Sequence, residues 1–231
     1  MRTETQCFDC TQFQTGIFSG LPDEERIESL CVLNMVMFER KQAIYNEGNA
    51  AHLVYVVRSG LVKLFKNTAQ NRTQIINVVG PGEIIGIESL FSPHYNATAV
   101  PLTRSQICYC QSVQFHTLIE KRPSVAVRVI GLLYQDLSRI HAFLCDLGTK
   151  KAISRVASCL LFFKEKQTSD QATRAFQLPV MRNEMSELLG ISPETISRQL
   201  RKLVTDGYID VDNKRVLVRD LKGLQRIAKG S

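Results

Sequence analysis

The spacing of apolar residues changes character twice along the chain. From Ala43 to about Ile119 the apolar positions fall in short β-rich runs: Leu53–Val57, Leu61–Phe65, Gln74–Val79, Ala97–Val100 and Ser105–Cys110. Turn-forming groups separate them: Glu47-Gly48-Asn49, Arg58-Ser59-Gly60, Asn67–Asn71 and Gly80-Pro81-Gly82. Short strands at close spacing with glycine punctuation predict an antiparallel sandwich or barrel-like roll. After Pro123 the period lengthens. Val129, Leu133, Leu137, Ile140, Leu144 and Leu147 follow one another at steps of three and four. That is an a/d seam on one long helix, and its flanks Arg128, Asp136 and Arg139 favour a parallel homodimer contact over intrachain packing. Gly148 suits the stop. A further helix is expected over 151–167, with Ile153, Val156, Ala157, Leu160 and Leu161 on one face. Near the start, Leu21-Pro22-Asp23-Glu24-Glu25 opens a short helix, its acids suited to a helix N-terminus.

The last third carries the sharpest signal. Arg182–Leu189 reads as a short helix, and Gly190-Ile191-Ser192 as a turn. Pro193 then stands at the first position of a second helix with Ser192 as its cap. This helix runs to about Asp206 and Gly207 ends it. Ile196, Leu200 and Leu203 form its apolar face; Glu194, Ser197, Arg198 and Arg201 form the opposite one. Helix, glycine turn, amphipathic helix is the layout of a DNA-binding helix-turn-helix. Tyr208–Val211 and Arg215–Val218 flank Asp212-Asn213-Lys214, a β-hairpin that adds a wing.

Charge points the same way. The chain has 231 residues, 29 Lys+Arg and 22 Asp+Glu. Residues 151–231 hold 15 basic and 9 acidic side chains, so nearly all of the +7 excess lies there. A basic C-terminal region on a neutral remainder implies a nucleic-acid partner at that end. Arg198 offers a planar fork of donors that matches guanine O6 and N7. Glu194 is informative because a carboxylate facing a polyanion needs a donor, and cytosine N4 supplies one. Ser197 suits a base edge or a phosphate; Arg201, Lys202, Lys214 and Arg215 suit phosphates. The competing reading is a solvated face with an intrahelical Glu194–Arg198 pair.

The composition excludes other classes. No apolar run is long enough to span a membrane, and Met1–Cys10 lacks the apolar stretch of a secretory signal. A cytoplasmic protein is expected. No nucleophile elbow, phosphate loop or His-Glu-x-x-His is present, so an enzyme built on Cys or His is the weaker alternative and a non-enzyme is expected. Seven cysteines, at 7, 10, 31, 108, 110, 145 and 159, are too sparse for a secreted disulfide scaffold. Cys31, Cys145 and Cys159 sit in apolar helical patterns and read as core residues. His52, His94, His116 and His141 are scattered and give little support to a haem site.

The chain resembles the CRP/FNR family of bacterial transcription regulators over nearly its whole length. Gly190-Ile191-Ser192-Pro193-Glu194-Thr195-Ile196-Ser197-Arg198 resembles the family's recognition helix, and Glu-Thr-Ile-Ser-Arg is its FNR-like form. Arg58-Ser59-Gly60 and Gly80-Pro81-Gly82-Glu83, with Gly86 following, resemble the glycine signatures of its cyclic-nucleotide-binding-type β-roll. The resemblance implies an α+β chain: an N-terminal Cys-x-x-Cys segment over 1–16, a β-roll sensor domain over 17–122, a dimerisation helix over 123–148 and a winged helix-turn-helix over 149–231. It implies a homodimer on double-stranded DNA carrying a TTGAT-like inverted repeat, an activator's contact with RNA polymerase, and no membrane. Glu194 and Arg198 would read the G·C pair and Ser197 a neighbouring thymine.

The signal is open at this level. Nucleotide-binding members use a Gly-Glu-Leu element followed by Arg-Ser, because a buried phosphodiester needs a cation. Here the stretch is Gly86-Ile87-Glu88 and then Tyr95-Asn96-Ala97-Thr98-Ala99, without arginine, so cyclic AMP is not expected. The FNR branch holds a [4Fe–4S] cluster on four cysteines. Cys7-Phe8-Asp9-Cys10 resembles its N-terminal pair and Cys108 its roll ligand; the remaining position falls near Gly16. Cys31, Cys110 or Asp9 could complete the set. Three readings compete: a labile cluster, a thiol–disulfide switch of Cys7, Cys10 and Cys108 or Cys110, and a roll with a small-molecule ligand or none and no redox role.

Overall fold

The computed structural model describes residues 16, 17, 19, 33–68, 72–167 and 174–230. The short helix expected near Leu21, and Cys7, Asp9, Cys10 and Cys31, lie outside them. Contacts divide the chain into two compact units, Met1–Arg72 with Ile76–Ser138 and Thr73–Ile75 with Arg139–Ser231.

Residues 34–111 form seven strands, all in the first unit but for Thr73–Ile75 of the fourth: β1 (Asn34–Phe38), β2 (Leu53–Ser59), β3 (Val62–Asn67), β4 (Thr73–Val79), β5 (Ile84–Ile85), β6 (Thr98–Pro101) and β7 (Ser105–Gln111). They form one sheet in the order β1-β7-β2-β5 and a second in the order β4-β3-β6. The five β-rich runs read from the sequence are thus all strands. β1 and β5 escape that reading, and so does helix α1 (Ser112–Lys121), which follows β7 without a break. The sequence pattern places the α1 stretch in the β-rich region; Phe115 and Leu118 instead bury one face of a helix.

Alternation along β7 divides its side chains between two layers. Ile107 enters a core with Tyr45, Tyr55, Val57, Val62 and Tyr95, on which Tyr109 also packs. Cys110 enters another with Ile17, Val54, Val56, Phe115, Leu118, Val125 and Val129, against which Cys108 packs. The first core is unusually aromatic. Tyr45 stacks on Tyr95 at 4.0 Å between centroids and on Tyr55 at 5.5 Å. The Tyr95 hydroxyl donates to Leu53 O (2.9 Å) and accepts from Leu53 N (3.1 Å). Gly86, at φ +74°, lets the backbone come close to this stack: a Cβ there would lie 3.2 Å from both the Tyr55 and Tyr95 rings.

Helix α2 spans Pro123–Thr149. The structure corrects the sequence reading on three points. Gly148 lies inside this helix, outside the left-handed region, and does not stop it. Val129 is buried in the first unit's own core, so it is not a seam residue. Cys145 is exposed and does not belong to the core. The exposed apolar stripe is Val127, Ile130, Leu133, Tyr134, Leu137 and Leu144, with Ile140 and Leu147 partly covered. Of the six predicted seam residues, Val129 alone is taken up by the protomer's own core; the other five stay exposed or partly covered.

The second unit continues with α3 (Ala152–Gln167), β8 (Ala175–Gln177), α4 (Arg182–Leu189), α5 (Pro193–Thr205), β9 (Ile209–Asp212), β10 (Arg215–Val218) and α6 (Leu221–Lys229). β8, β10 and β9 form a three-stranded antiparallel sheet. β8 and α6 have no counterpart in the sequence reading. Val156, Leu160 and Phe163 of α3, Met185 of α4 and Ile196, Leu200 and Leu203 of α5 make the core. Cys159 is buried, as its apolar context implied.

Candidate nucleic-acid interface

The interface begins at the turn between α4 and α5. Gly190 ends α4 at φ +64°, a backbone conformation that a side chain would strain. Ser192 Oγ then accepts from Thr195 N (3.2 Å) and caps α5, with Pro193 directly behind it. Arg155 of α3 anchors the turn from below, donating through Nη1 to Leu189 O (3.3 Å) and through Nε to Lys150 O (3.0 Å). Ser192→Ala should cost about 1 kcal/mol of unfolding free energy in urea titration, the usual value of an N-cap. An unchanged midpoint would mean that Pro193 alone sets the helix start.

The two faces of α5 separate as the sequence requires. Ile196, Leu200 and Leu203 are buried; Glu194, Arg198, Arg201 and Lys202 are exposed, and Ser197 is partly covered. No ion pair or hydrogen bond joins Glu194 to Arg198, so the intrahelical pair considered above is not formed. Arg198, Arg201 and Lys202 enter no ion pair among the described residues. Glu194 is held ionised, its carboxyl lying below the usual range because its own backbone N–H and then the Ser192 hydroxyl donate to it. Ser197 Oγ donates to Pro193 O (2.9 Å), which commits its only proton within the helix.

The hairpin is held at both ends. Arg215 pairs with Asp212 across β10 and β9 and with Gln177 across β10 and β8. Asn213 takes a positive φ of 52° at the tip, and Lys214 and Arg215 are exposed. Arg219 Nε donates to Asp210 Oδ2 (2.6 Å), which closes the other end. The second unit thus carries Arg198, Arg201, Lys202, Lys214 and Arg215 on two consecutive elements of a helix-turn-helix and its wing.

The cysteine candidates differ in environment. Cys108 is half-buried and Cys110 buried, two apart on one face of β7. Burial pushes the Cys110 thiol up to about 12, and the Cys159 thiol likewise. Among the described residues no three His, Cys, Asp or Glu side chains gather as metal ligands. At pH 8 a thiol raised that far is thiolate roughly a thousandfold less often than an ordinary one. Iodoacetamide under native conditions should therefore modify Cys145 quickly and leave Cys110 and Cys159 unmodified until the chain is unfolded. Equal labelling, read by peptide mass mapping, would contradict the buried assignment.

A two-sheet roll followed by a winged helix-turn-helix defines a class: DNA-binding transcription regulators with a cyclic-nucleotide-binding-like domain. Comparison with known proteins agrees. Residues 35–122 match the cyclic nucleotide-binding domain family, and residues 154–227 match the Crp-like helix-turn-helix domain family. Among curated proteins, the chain is 25% identical over 224 residues to the transcriptional regulatory protein btr of Bordetella pertussis, covering 96% of this chain and 92% of that one. It is 26% identical over 223 residues to the nitrogen fixation regulation protein FixK of Bradyrhizobium diazoefficiens, covering 96% and 93%. Among solved structures, a CRP-family transcriptional regulator from Thermus thermophilus aligns with a TM-score of 0.74 at 25% identity, over 85% of this chain and 97% of that one. The chain belongs to the CRP/FNR family of transcription regulators. No described helix is long and apolar enough to cross a membrane.

Proposed function

We propose that this regulator acts as a homodimer on an inverted repeat with TTGAT-like half-sites, one α5 helix in each major groove. The observation that carries the reading is the pairing of Arg198, free of ion pairs among the described residues, with ionised Glu194 one turn away on the same face. A guanine accepts the Arg198 fork and its partner cytosine donates N4–H to Glu194, so one side-chain pair reads both halves of a G·C pair. Ser197, whose proton is committed to Pro193, meets thymine through apolar contact with the C5-methyl group. Arg201, Lys202, Lys214 and Arg215 hold phosphates and fix register. The second subunit packs along the exposed stripe of α2, since a surface stripe of this length on a 27-residue helix marks an interaction face. In binding titrations, a duplex carrying TTGAT–N4–ATCAA should bind far more tightly than one with both half-sites scrambled. Equal affinity for the two would reject the reading.

We further infer that the roll is not a cyclic nucleotide receptor. Stacked Tyr45, Tyr55 and Tyr95 occupy one of its two cores, and the stretch 95–99 offers no cation for a phosphodiester. The signal is redox state, received by Cys7, Cys10 and Cys108. Supporting this, Cys108 packs against the core that includes Ile17, seven residues after Cys10 in the chain. A four-thiolate [4Fe–4S] cluster would need a fourth ligand beside Cys7, Cys10 and Cys108, from Cys31, Cys110 or Asp9. A thiol–disulfide change needs no fourth ligand. Iron and sulfide assay after anaerobic purification, with a non-reducing peptide map after oxidation, separates the two. Iron-free protein with an oxidant-induced bond at Cys108 supports the switch; stoichiometric iron and sulfide overturns it. The protein then acts in the cytoplasm, where DNA and RNA polymerase, its remaining partners, are found.

A further inference from the structure

The C-terminal helix α6 carries a feature that the recognition of a half-site does not use. Its sequence, Leu221–Lys229, contains no acidic residue. Gly223, Leu224 and Ala228 are buried. Ser158 Oγ of α3 donates to Ala228 O (3.3 Å), which fastens that face. The opposite face presents Lys222, Gln225, Arg226 and Lys229, all exposed, at steps of three, one and three. Lys222, Arg226 and Lys229 therefore stand in one row, with about 10 Å of helix rise between the first and last. None of the three is engaged in an ion pair or side-chain hydrogen bond with the described residues.

An ordinary solvated helix face explains this row poorly. Like charges at i, i+4 repel within the helix. The helix dipole favours Arg226 and Lys229 in the last turn but opposes Lys222, which sits in the first turn beside the positive end. Surface faces usually intersperse both signs, and Arg219 just upstream follows that habit by pairing with Asp210. The acid nearest the row is the N-cap Asp220, whose carboxylate accepts from Gly223 N (2.9 Å); none stands within the helix itself. The row is left open to an anion from outside the chain.

We propose that this row is a second electrostatic contact for DNA, taking the phosphate backbone that flanks the recognised half-site. The proposal rests on the DNA-binding reading and extends it. Two observations favour a phosphate backbone as the anion. The row is linear and purely cationic, without the apolar anchor that a protein interface would place at its centre. It is also continuous with the DNA-binding module: α6 starts where Arg219 N and Asp220 N donate to Tyr208 O, one residue beyond the glycine that ends the recognition helix. Such contacts carry no sequence information but add affinity and salt dependence.

The test is the triple variant Lys222→Gln, Arg226→Gln, Lys229→Gln in the full chain. Its three sites are exposed, so folding should be unaffected, and circular dichroism checks this. Affinity is titrated against salt on two specific duplexes. One ends at the half-sites; the other extends about ten base pairs beyond each. Wild type should bind the longer duplex more tightly and with the steeper salt dependence. The variant should lose both gains, its log–log slope falling by roughly 0.9 for each phosphate contact removed, while its preference for the specific site over a scrambled one stays the same. Wild-type slope and wild-type gain from the flanks in the variant would overturn the proposal. If those stay unchanged while transcription with purified polymerase falls, the row serves an acidic protein surface instead, and the proposal is equally overturned. A wild type without preference for the specific site would sink the underlying reading; a retained preference with no flank effect sinks only this one.

Discussion

Arg198→Ala should abolish selective DNA binding and leave the fold intact. The side chain lies outside the core and makes no ion pair among the described residues, so its loss should change unfolding free energy by no more than about 0.5 kcal/mol. Its bidentate contact with guanine is worth about 1–3 kcal/mol per half-site, and a dimer loses it twice. Affinity for the palindrome should fall by on the order of a hundredfold or more, towards the level of scrambled DNA. A mutant cycle localises the effect. Replacing the G·C pair should weaken the wild type strongly and the variant hardly at all. If the variant still discriminates that pair, Arg198 is not its reader.

Leu137→Glu should produce a folded monomer. Leu137 is 50% exposed in the protomer and sits mid-way along the stripe from Val127 to Leu144. A carboxylate there is harmless in a solvated monomer and costly in a dry helix–helix seam. Sedimentation should show the mass halved, with the circular dichroism spectrum kept. Affinity for the two-site palindrome should then drop by about 10²–10⁴, because the second half-site is no longer bound intramolecularly. Binding to a single half-site should be unaffected. Val129 gives a control: Val129→Glu should unfold the first unit instead, since Val129 is 5% exposed inside it. Monomeric, folded Val129→Glu protein would restore the seam as read from the sequence.

That contrast shows where sequence patterns carry information and where they do not. The heptad spacing of α2 located the helix because apolar residues recur at its period. It could not choose which apolar stripe faces the helix's own domain, as Val125 and Val129 do, and which stays open. The five central strands were legible as short β-rich runs, and Gly48, Gly60, Gly80 and Gly82 punctuate the first three of them. β5, with two residues, and β8, with three, are too short to repeat the two-residue period of a strand. α1 was hidden because Gln111 serves both as the end of β7 and as the cap of the helix. The recognition helix was the most legible element, since Gly190, Ser192 and Pro193 encode its start locally. The tyrosine-filled core was invisible for the opposite reason: Tyr45, Tyr55 and Tyr95 meet only through the tertiary fold. The cation row on α6 was present in the sequence, but its meaning depends on which helix face is buried.

The most direct measurement of the central claim is an unbiased selection of bound duplexes from random-sequence DNA by the full-length protein. Sequence-specific recognition by two α5 helices predicts one enriched motif, an inverted repeat whose half-sites contain a fixed G·C pair and lie about one helical turn apart, centre to centre. That motif should vanish with Arg198→Ala. A pool that shows no enrichment, or that enriches a motif unaltered by Arg198→Ala, would contradict the account.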